Sequence, residues 1–265
     1  MATVATVGTS HPLAFAGLGL TLQALMAGGD RPVFVVAGVS AQTSARVLAR
    51  RSVDVETIVA QFAALADADV RAVHVGALLS AEAVAAVARG LDTLPGVPVV
   101  LDPVLATTGG DPLGGAAVAA ALREHLLPRA ALVTPNLDEA GALLGTAVRD
   151  VPAMAAAARA LIACGTGAAL VKGGHLAGDT VDVLADDAGV HEFSAARLAG
   201  ELRGTGDLLA VSIAAALANG DTMRAAITHA RQRVRDAIAH GEMFAGTRVA
   251  AWRTQARDHD ADDFR

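Results

Sequence analysis

The residues best suited to chemistry lie in Leu202-Arg203-Gly204-Thr205-Gly206-Asp207-Leu208-Leu209-Ala210. Two glycines bracket Thr205, an acid follows, and an apolar run to Ala218 predicts a helix. A turn feeding a helix start leaves backbone N–H groups free and parallel, and the helix dipole adds partial positive charge. Such a turn can cradle an anion. An acid at its edge can take a proton from a hydroxyl attacking phosphorus. The same residues also suit a plain capped helix, with Thr205 as N-cap and Asp207 favouring the dipole from the first turn.

Other polar residues interrupt an otherwise apolar chain. They are Asp102, Asn136 with Glu139, and Lys172 with Gly173-Gly174. The chain carries twenty-one basic residues, and Lys172 is its one lysine. A compact ammonium suits a point contact to phosphate. Each residue has a structural alternative. Asp102-Pro103 and Pro135-Asn136 suit turns, and Glu139 suits a first-turn helix acid. An acid, an Asn/Glu pair, a lysine and an anion cradle form a coherent set only when brought together, where they can hold a magnesium–nucleotide complex.

The elements that must position them follow from the apolar pattern. Strands are predicted at residues 3–8, 32–38, 72–76, 97–103, 130–136 and 168–174. Helices are predicted at 16–26, 53–66, 80–90, 114–126, 138–144, 151–164, 207–218 and 222–240, and a hairpin around Asp186-Asp187-Ala188-Gly189. The run 32–38 has the continuous apolar pattern of a strand buried on both faces. Alternating strands and helices with short loops predict an α/β fold: a three-layer αβα arrangement with a mostly parallel central sheet. In such a sheet ligands bind beyond the carboxyl ends of the strands, where the polar residues lie. No linker or internal repeat is evident, so residues 1–265 read as one domain, with 257–265 a frayed charged tail.

Composition narrows the function. The 265 residues are 53% apolar with net charge −6, one tryptophan and no tyrosine. That disfavours nucleic-acid binding, which calls for a basic stripe and stacking aromatics. No apolar run suffices to span a membrane, and no basic-then-apolar leader opens the chain, so a cytoplasmic enzyme is expected. The lone Cys164 permits neither an internal disulfide nor a cysteine zinc cluster. There is no Gly-x-x-x-x-Gly-Lys-Ser/Thr loop, no dinucleotide fingerprint after the first strand and no Gly-x-Ser-x-Gly elbow.

The segments Val100-Leu101-Asp102-Pro103-Val104, Thr134-Pro135-Asn136-Leu137-Asp138-Glu139-Ala140, Val171-Lys172-Gly173-Gly174-His175 and Gly204-Thr205-Gly206-Asp207 occur in a familiar order. From Gly8 to about Ala218 the chain resembles the ribokinase-like superfamily. Within it, it is most similar to the hydroxymethylpyrimidine/phosphomethylpyrimidine kinases, which are close to the pyridoxal kinases. The resemblance implies an ATP- and Mg2+-dependent kinase, with Asp207 as the base for the substrate hydroxymethyl group. The N–H groups of Gly204, Thr205 and Gly206 would hold the transferring phosphoryl group. Glu139 with Asn136 would set magnesium, Asp102 would support metal and phosphates, and Lys172 beside Gly173 would face the nucleotide. Gln42, Gly8 and Gly76 would meet the acceptor. His175 matches a motif without a clear duty, and His11 has none assigned. A homodimer is also implied.

The chain departs from that pattern at its start. Where these kinases have Gly-Thr-Asp-Pro-Ser-Gly-Gly-Ala-Gly, it has Gly8-Thr9-Ser10-His11-Pro12-Leu13-Ala14-Phe15-Ala16-Gly17. Ser10 replaces the first acid, Thr21 a later one, and Ala77 a pocket methionine. Asp207 stands where the branch often has cysteine. The phosphoryl-transfer half is intact and the acceptor half rewritten. The expected activity is phosphorylation of a hydroxymethylpyrimidine. The alternatives are pyridoxal, another alcohol such as a sugar, and a kinase-derived ligand sensor.

Overall fold

Apolar runs alternate with capped helices to give a βα order along the chain. The computed structural model describes residues 1–107, 109–174 and 176–252. His175 and the tail 257–265 lie outside the described residues. Strands β1 (Thr3–Ser10), β2 (Arg31–Gln42), β3 (Val47–Ser52), β4 (Val70–Val75), β5 (Val99–Leu101), β6 (Leu132–Val133), β7 (Ala169–Lys172), β8 (Thr180–Asp186) and β9 (Gly189–Ala195) form one sheet. Its order is β3-β2-β1-β4-β5-β6-β7-β8-β9. The pairs from β2 to β7 are parallel, and β3, β8 and β9 add antiparallel edges.

The helices are α1 (Gly17–Ala27), α2 (Val55–Ala63), α3 (Ala81–Leu91), α4 (Gly115–Ala121), α5 (Leu137–Leu144), α6 (Val151–Ala163), α7 (Thr205–Ala218) and α8 (Met223–His240). Strand periodicity sorts them into two layers. Val4, Ala72, Val100, Leu132 and Leu170 point to one face and cluster with α1, α7 and α8. Val7, Val75, Leu101, Val133 and Val171 point to the other and pack on Ile58 and Phe62 of α2, Val84 and Val87 of α3, and Leu161 of α6. The result is the expected αβα sandwich. Among the described residues no helix is long and apolar enough to cross a membrane.

The chain leaves β1 for β2 on one side, and β4 then lies on the other side of β1. The strand order therefore reverses at the β1/β4 crevice, the usual ligand site of an open α/β sheet. Gly8, near the end of β1, and Gly76, just past β4, stand there.

Some elements differ from the sequence pattern. β2 continues to Gln42, and its far end pairs with β3. Residues 47–52 show no clean alternation because almost all of β3 is exposed. Phe34 is half exposed, so β2 is not buried on both faces. β5 and β6 are only three and two residues long, and Asp102 and Thr134 follow directly at their ends. The helix predicted to reach Leu126 ends at Ala121 and passes into a wider turn, Leu122–Leu126. A second small hairpin, β10 (Glu242–Phe244) and β11 (Thr247–Val249), follows α8.

Phe62 is fully buried beneath Gly90, where an added Cβ would lie 2.0 Å from the ring. Phe62→Ala is expected to destabilise the fold by about 3–5 kcal/mol, measured as a shift in the urea midpoint at constant m-value.

Candidate active site

The first turn of α7 forms the floor of the site. Its N-cap is Gly204, at φ 76° in the left-handed region, with no side-chain cap bond. Thr205 is thus the first helical residue rather than the cap. An L side chain at 204 would be strained, and its Cβ would lie 2.5 Å from Phe15 O. Leu208 N donates to Gly204 O at 2.9 Å, closing the first helical bond. The Thr205 and Gly206 N–H groups precede that bond and meet no acceptor among the described residues. Free amides at the positive end of a helix dipole can cradle an anion.

Beneath this turn lies a buried ion pair. Lys172, at the end of β7, donates from Nζ to Asp102 Oδ1 at 2.7 Å. Thr134 Oγ1 donates to the same oxygen at 3.1 Å. A Cβ on Gly206 would lie 3.3 Å from Lys172 Nζ and 3.4 Å from Asp102 Oδ2. With no side chain at position 206, the helix start packs closely over the pair. Burial opposes the charge on Lys172, but Asp102, Glu139 and Asp207 outweigh it and hold its pKa above the usual value.

Asn136 and Glu139 form a capping box at the start of α5. Asn136 N donates to Glu139 Oε2 at 2.8 Å, and Glu139 N donates to Asn136 Oδ1 at 2.9 Å. The structural reading of this pair is therefore realised in full. It does not consume Glu139, which has a second carboxylate oxygen. Burial pushes the Glu139 carboxyl up to about 7 against the pull of Lys172. Gly173 directs its N–H to Asp182 Oδ1 at 3.0 Å, and Asp182 is in turn held by Arg231.

Asp207 lies over the crevice. Burial, reinforced by Asp102, pushes it up to about 7, against hydrogen bonding from the N–H of Gly17 and attraction by Lys172. Gly76 borders it: a Cβ there would lie 3.7 Å from Asp207 Oδ1. Gly8 faces the backbone of Ala77, 3.8 Å from where its own Cβ would be. Gln42 stands farther out on the β2–β3 arm, its amide donating to Ser40 Oγ at 2.8 Å. His11 fastens the rewritten loop, accepting from Ala16 N at 3.2 Å and packing against the Phe15 ring. That loop and the C-terminal hairpin enclose a cavity of about 240 Å³ lined by Leu13, Phe15, Phe244 and Trp252.

Two residues at the site escaped sequence reasoning. Arg203 donates from Nη2 to Ser44 O at 2.6 Å, tying the β2–β3 arm to the residue before the cradle. His74 lies buried on β4 beside Thr6. Its one sequence signal was a polar residue inside an apolar strand.

A basic group, two free amides and three carboxyls thus converge at one end of a parallel sheet. The family described as phosphomethylpyrimidine kinase matches residues 13–250. The chain belongs to the phosphomethylpyrimidine kinase family. It is similar to a hydroxymethylpyrimidine/phosphomethylpyrimidine kinase of Streptomyces coelicolor, 39% identical over 90% of this chain and 89% of the relative. Among solved structures, a phosphomethylpyrimidine kinase from Clostridium difficile 630 superposes with TM-score 0.81 at 26% identity, covering 90% of this chain and 100% of that one. Pyridoxal kinase of Bacillus subtilis, solved as an ADP complex, gives TM-score 0.86 at 25% identity, covering 95% and 97%. As a phosphomethylpyrimidine kinase family member, the chain is an ATP-dependent kinase.

A carboxyl whose folded pKa is raised contributes stability below its unfolded pKa and loses it as pH rises through the folded value. For Asp207 that window runs from about 4 to about 7. In the ligand-free protein, Asp207→Asn is expected to remove this loss. The melting temperature of the variant minus that of the wild type should grow from pH 5 to pH 8. A difference independent of pH would show that Asp207 is not buried as described.

Proposed function

We propose that the protein transfers the γ-phosphoryl group of ATP to the hydroxymethyl group of hydroxymethylpyrimidine or its monophosphate, in thiamine biosynthesis. The observation that carries this reading is the convergence of Asp207, the Thr205 and Gly206 amides and the Lys172–Asp102 pair at one point. The reading is supported by relatives that bear this activity in their names.

In the proposed reaction Asp207 accepts the proton of the attacking hydroxyl, whose oxygen then bonds to phosphorus. The cradle amides bind the equatorial phosphoryl oxygens, where charge is greatest in the transition state. Lys172 neutralises nucleotide phosphate charge. Among the described residues no group of three or more His, Cys, Asp or Glu gathers as a metal cage. Mg2+ needs none, because it is commonly held by one or two carboxylates with waters and phosphates. Asp102 and Glu139 supply that donor set. A bound Mg2+ would neutralise charge on the β- and γ-phosphates. Gly8, Gly76 and Gln42 would form the acceptor side, and Gly173 would brace the strand turn beside the nucleotide.

A ligand sensor would have no need of a base with a raised pKa beside free amides, so the enzyme reading is preferred. We further propose a homodimer, because Val39 and Leu48 are large apolar residues left exposed on the β2–β3 arm. Sedimentation at micromolar concentration is expected to give twice the chain mass.

Coupled ADP-release assays with hydroxymethylpyrimidine, its phosphate, pyridoxal and ribose are expected to rank a pyrimidine first. A higher kcat/KM for pyridoxal would reassign the acceptor. Asp207→Asn is expected to lower kcat by more than about a hundredfold, the usual effect of losing a general base. Near-full turnover would remove Asp207 from the mechanism.

A further inference from the structure

His74 is the buried titratable group that phosphoryl transfer leaves without a duty. Its Nδ1 lies 3.0 Å from Thr6 Oγ1, which lies 3.0 Å from Thr21 Oγ1. Thr21 Oγ1 in turn donates to Leu18 O at 3.1 Å. Each threonine hydroxyl has one hydrogen. Only one assignment turns all three contacts into hydrogen bonds: Thr21 donates to Leu18 O, Thr6 donates to Thr21, and His74 Nδ1–H donates to Thr6. The ring is then neutral, with its proton on Nδ1 and a bare lone pair on Nε2. Burial agrees with this, driving the His74 pKa down to about 4.

Nε2 is fully buried and has no hydrogen-bond partner among the described residues. An unmatched buried acceptor costs about 1–3 kcal/mol, so it calls for a donor that the resting side chains do not supply. Gly76 shows what lies beside the ring. A Cβ at Gly76 would lie 3.3 Å from His74 Cε1, 3.8 Å from Nε2 and 3.7 Å from Asp207 Oδ1. The edge of the ring and the carboxylate both border the spot beside Gly76 that a side chain would fill.

We propose that His74 is a positioning residue for the general base: its Nε2 lone pair receives the hydrogen of Asp207 after that carboxylate takes the proton of the acceptor hydroxyl. No hydrogen bond or ion pair joins Nε2 to the carboxylate among the described residues, so the contact runs through one water beside Gly76. In this step the acceptor O–H bond breaks and an Asp207 O–H bond forms. The electron pair left on the acceptor oxygen makes the O–P bond, while the bond to the leaving ADP oxygen breaks. His74 keeps its single proton on Nδ1 and stays neutral. Its lone pair fixes the Asp207 O–H away from the phosphoryl product. The Thr6–Thr21–Leu18 chain holds the tautomer that makes this possible.

The proposal rests on the kinase reading, and the test separates the two. Nitrogen-15 NMR of the ligand-free protein is expected to show His74 protonated at Nδ1 and bare at Nε2; a proton on Nε2 overturns the proposal whatever the activity. In the ADP-release assay, His74→Phe is expected to lower kcat by about tenfold or more, the worth of one hydrogen bond to a reacting group, with KM for ATP unchanged. His74→Gln should recover part of that loss through its side-chain carbonyl. Adding His74→Phe to Asp207→Asn should cost nothing further; equal fold losses in both backgrounds mean a purely structural role and overturn the proposal. Should His74→Phe fail to fold, Thr21→Val serves instead. It frees the Thr6 hydroxyl to donate to Nδ1, which moves the ring proton to Nε2 and should lower kcat in the same way. Wild-type kcat with that moved proton overturns the proposal. Wild-type protein that turns over no acceptor overturns the kinase reading and this step with it.

Discussion

The Lys172–Asp102 ion pair is the constraint around which the active end of the sheet is built. The Asp102 side chain is 1% exposed and that of Lys172 15% exposed. Burying a charge costs several kcal/mol unless it is paired and its remaining hydrogen-bonding capacity is met. Thr134 supplies one further bond to Asp102. The helix start above supplies the setting: Gly206 allows α7 to settle on the pair, and the dipole end of α7 faces Asp102. Because Lys172 at the end of β7 reaches Asp102 just past β5, the pair also ties together two strands that are separated by β6. Removing either partner would leave the other charge stranded. A variant at Lys172 or Asp102 therefore confounds stability with function, and for that reason Asp207 is the cleaner probe.

The same pair sets the protonation of its neighbours. Asp207 and Glu139 are buried acids near a third carboxylate, and desolvation raises both to about 7. Lys172 moderates each of them. Burial keeps three full negative charges from gathering around one cation by favouring the protonated forms of Asp207 and Glu139. A nucleotide with Mg2+ would change that balance. The site of a phosphomethylpyrimidine kinase family member is thus electrostatically unfinished without its ligands, and the buried lone pair of His74 belongs to the same pattern.

The rewritten segment near the start of the chain has a physical role that its resemblance did not indicate. The backbone of Gly17, at the start of α1, lowers the pKa of Asp207 against the effect of burial, so that carboxyl is tuned from α1 as well as from its own helix. Thr21, noted in the sequence only as a missing acid, ends the hydroxyl chain that orients His74. His11 and Phe15 brace the loop that carries Gly17, against the C-terminal hairpin. These changes are linked by packing across three elements, and spacing along one chain could not reveal the link.

Strand and helix periodicity, the Gly204–Asp207 turn and the solitary lysine were enough to establish the αβα class and to mark the polar residues at the strand ends. That was legible because main-chain period and capping are local: Ser80, Asp150 and Asn136 cap the helices they precede in sequence. The exposed β3 edge and the β10–β11 hairpin carried no apolar pattern, because little of them is buried. Tertiary structure alone decided that Gly204 rather than Thr205 caps α7, since the clash that requires glycine comes from Phe15, far away in the chain. It alone paired Lys172 with Asp102 and brought the His74 ring and the Asp207 carboxylate to the same side of Gly76. Charge and hydrogen-bond partners are settled by distance in space, and residues tens of positions apart acquire that distance only when the sheet forms.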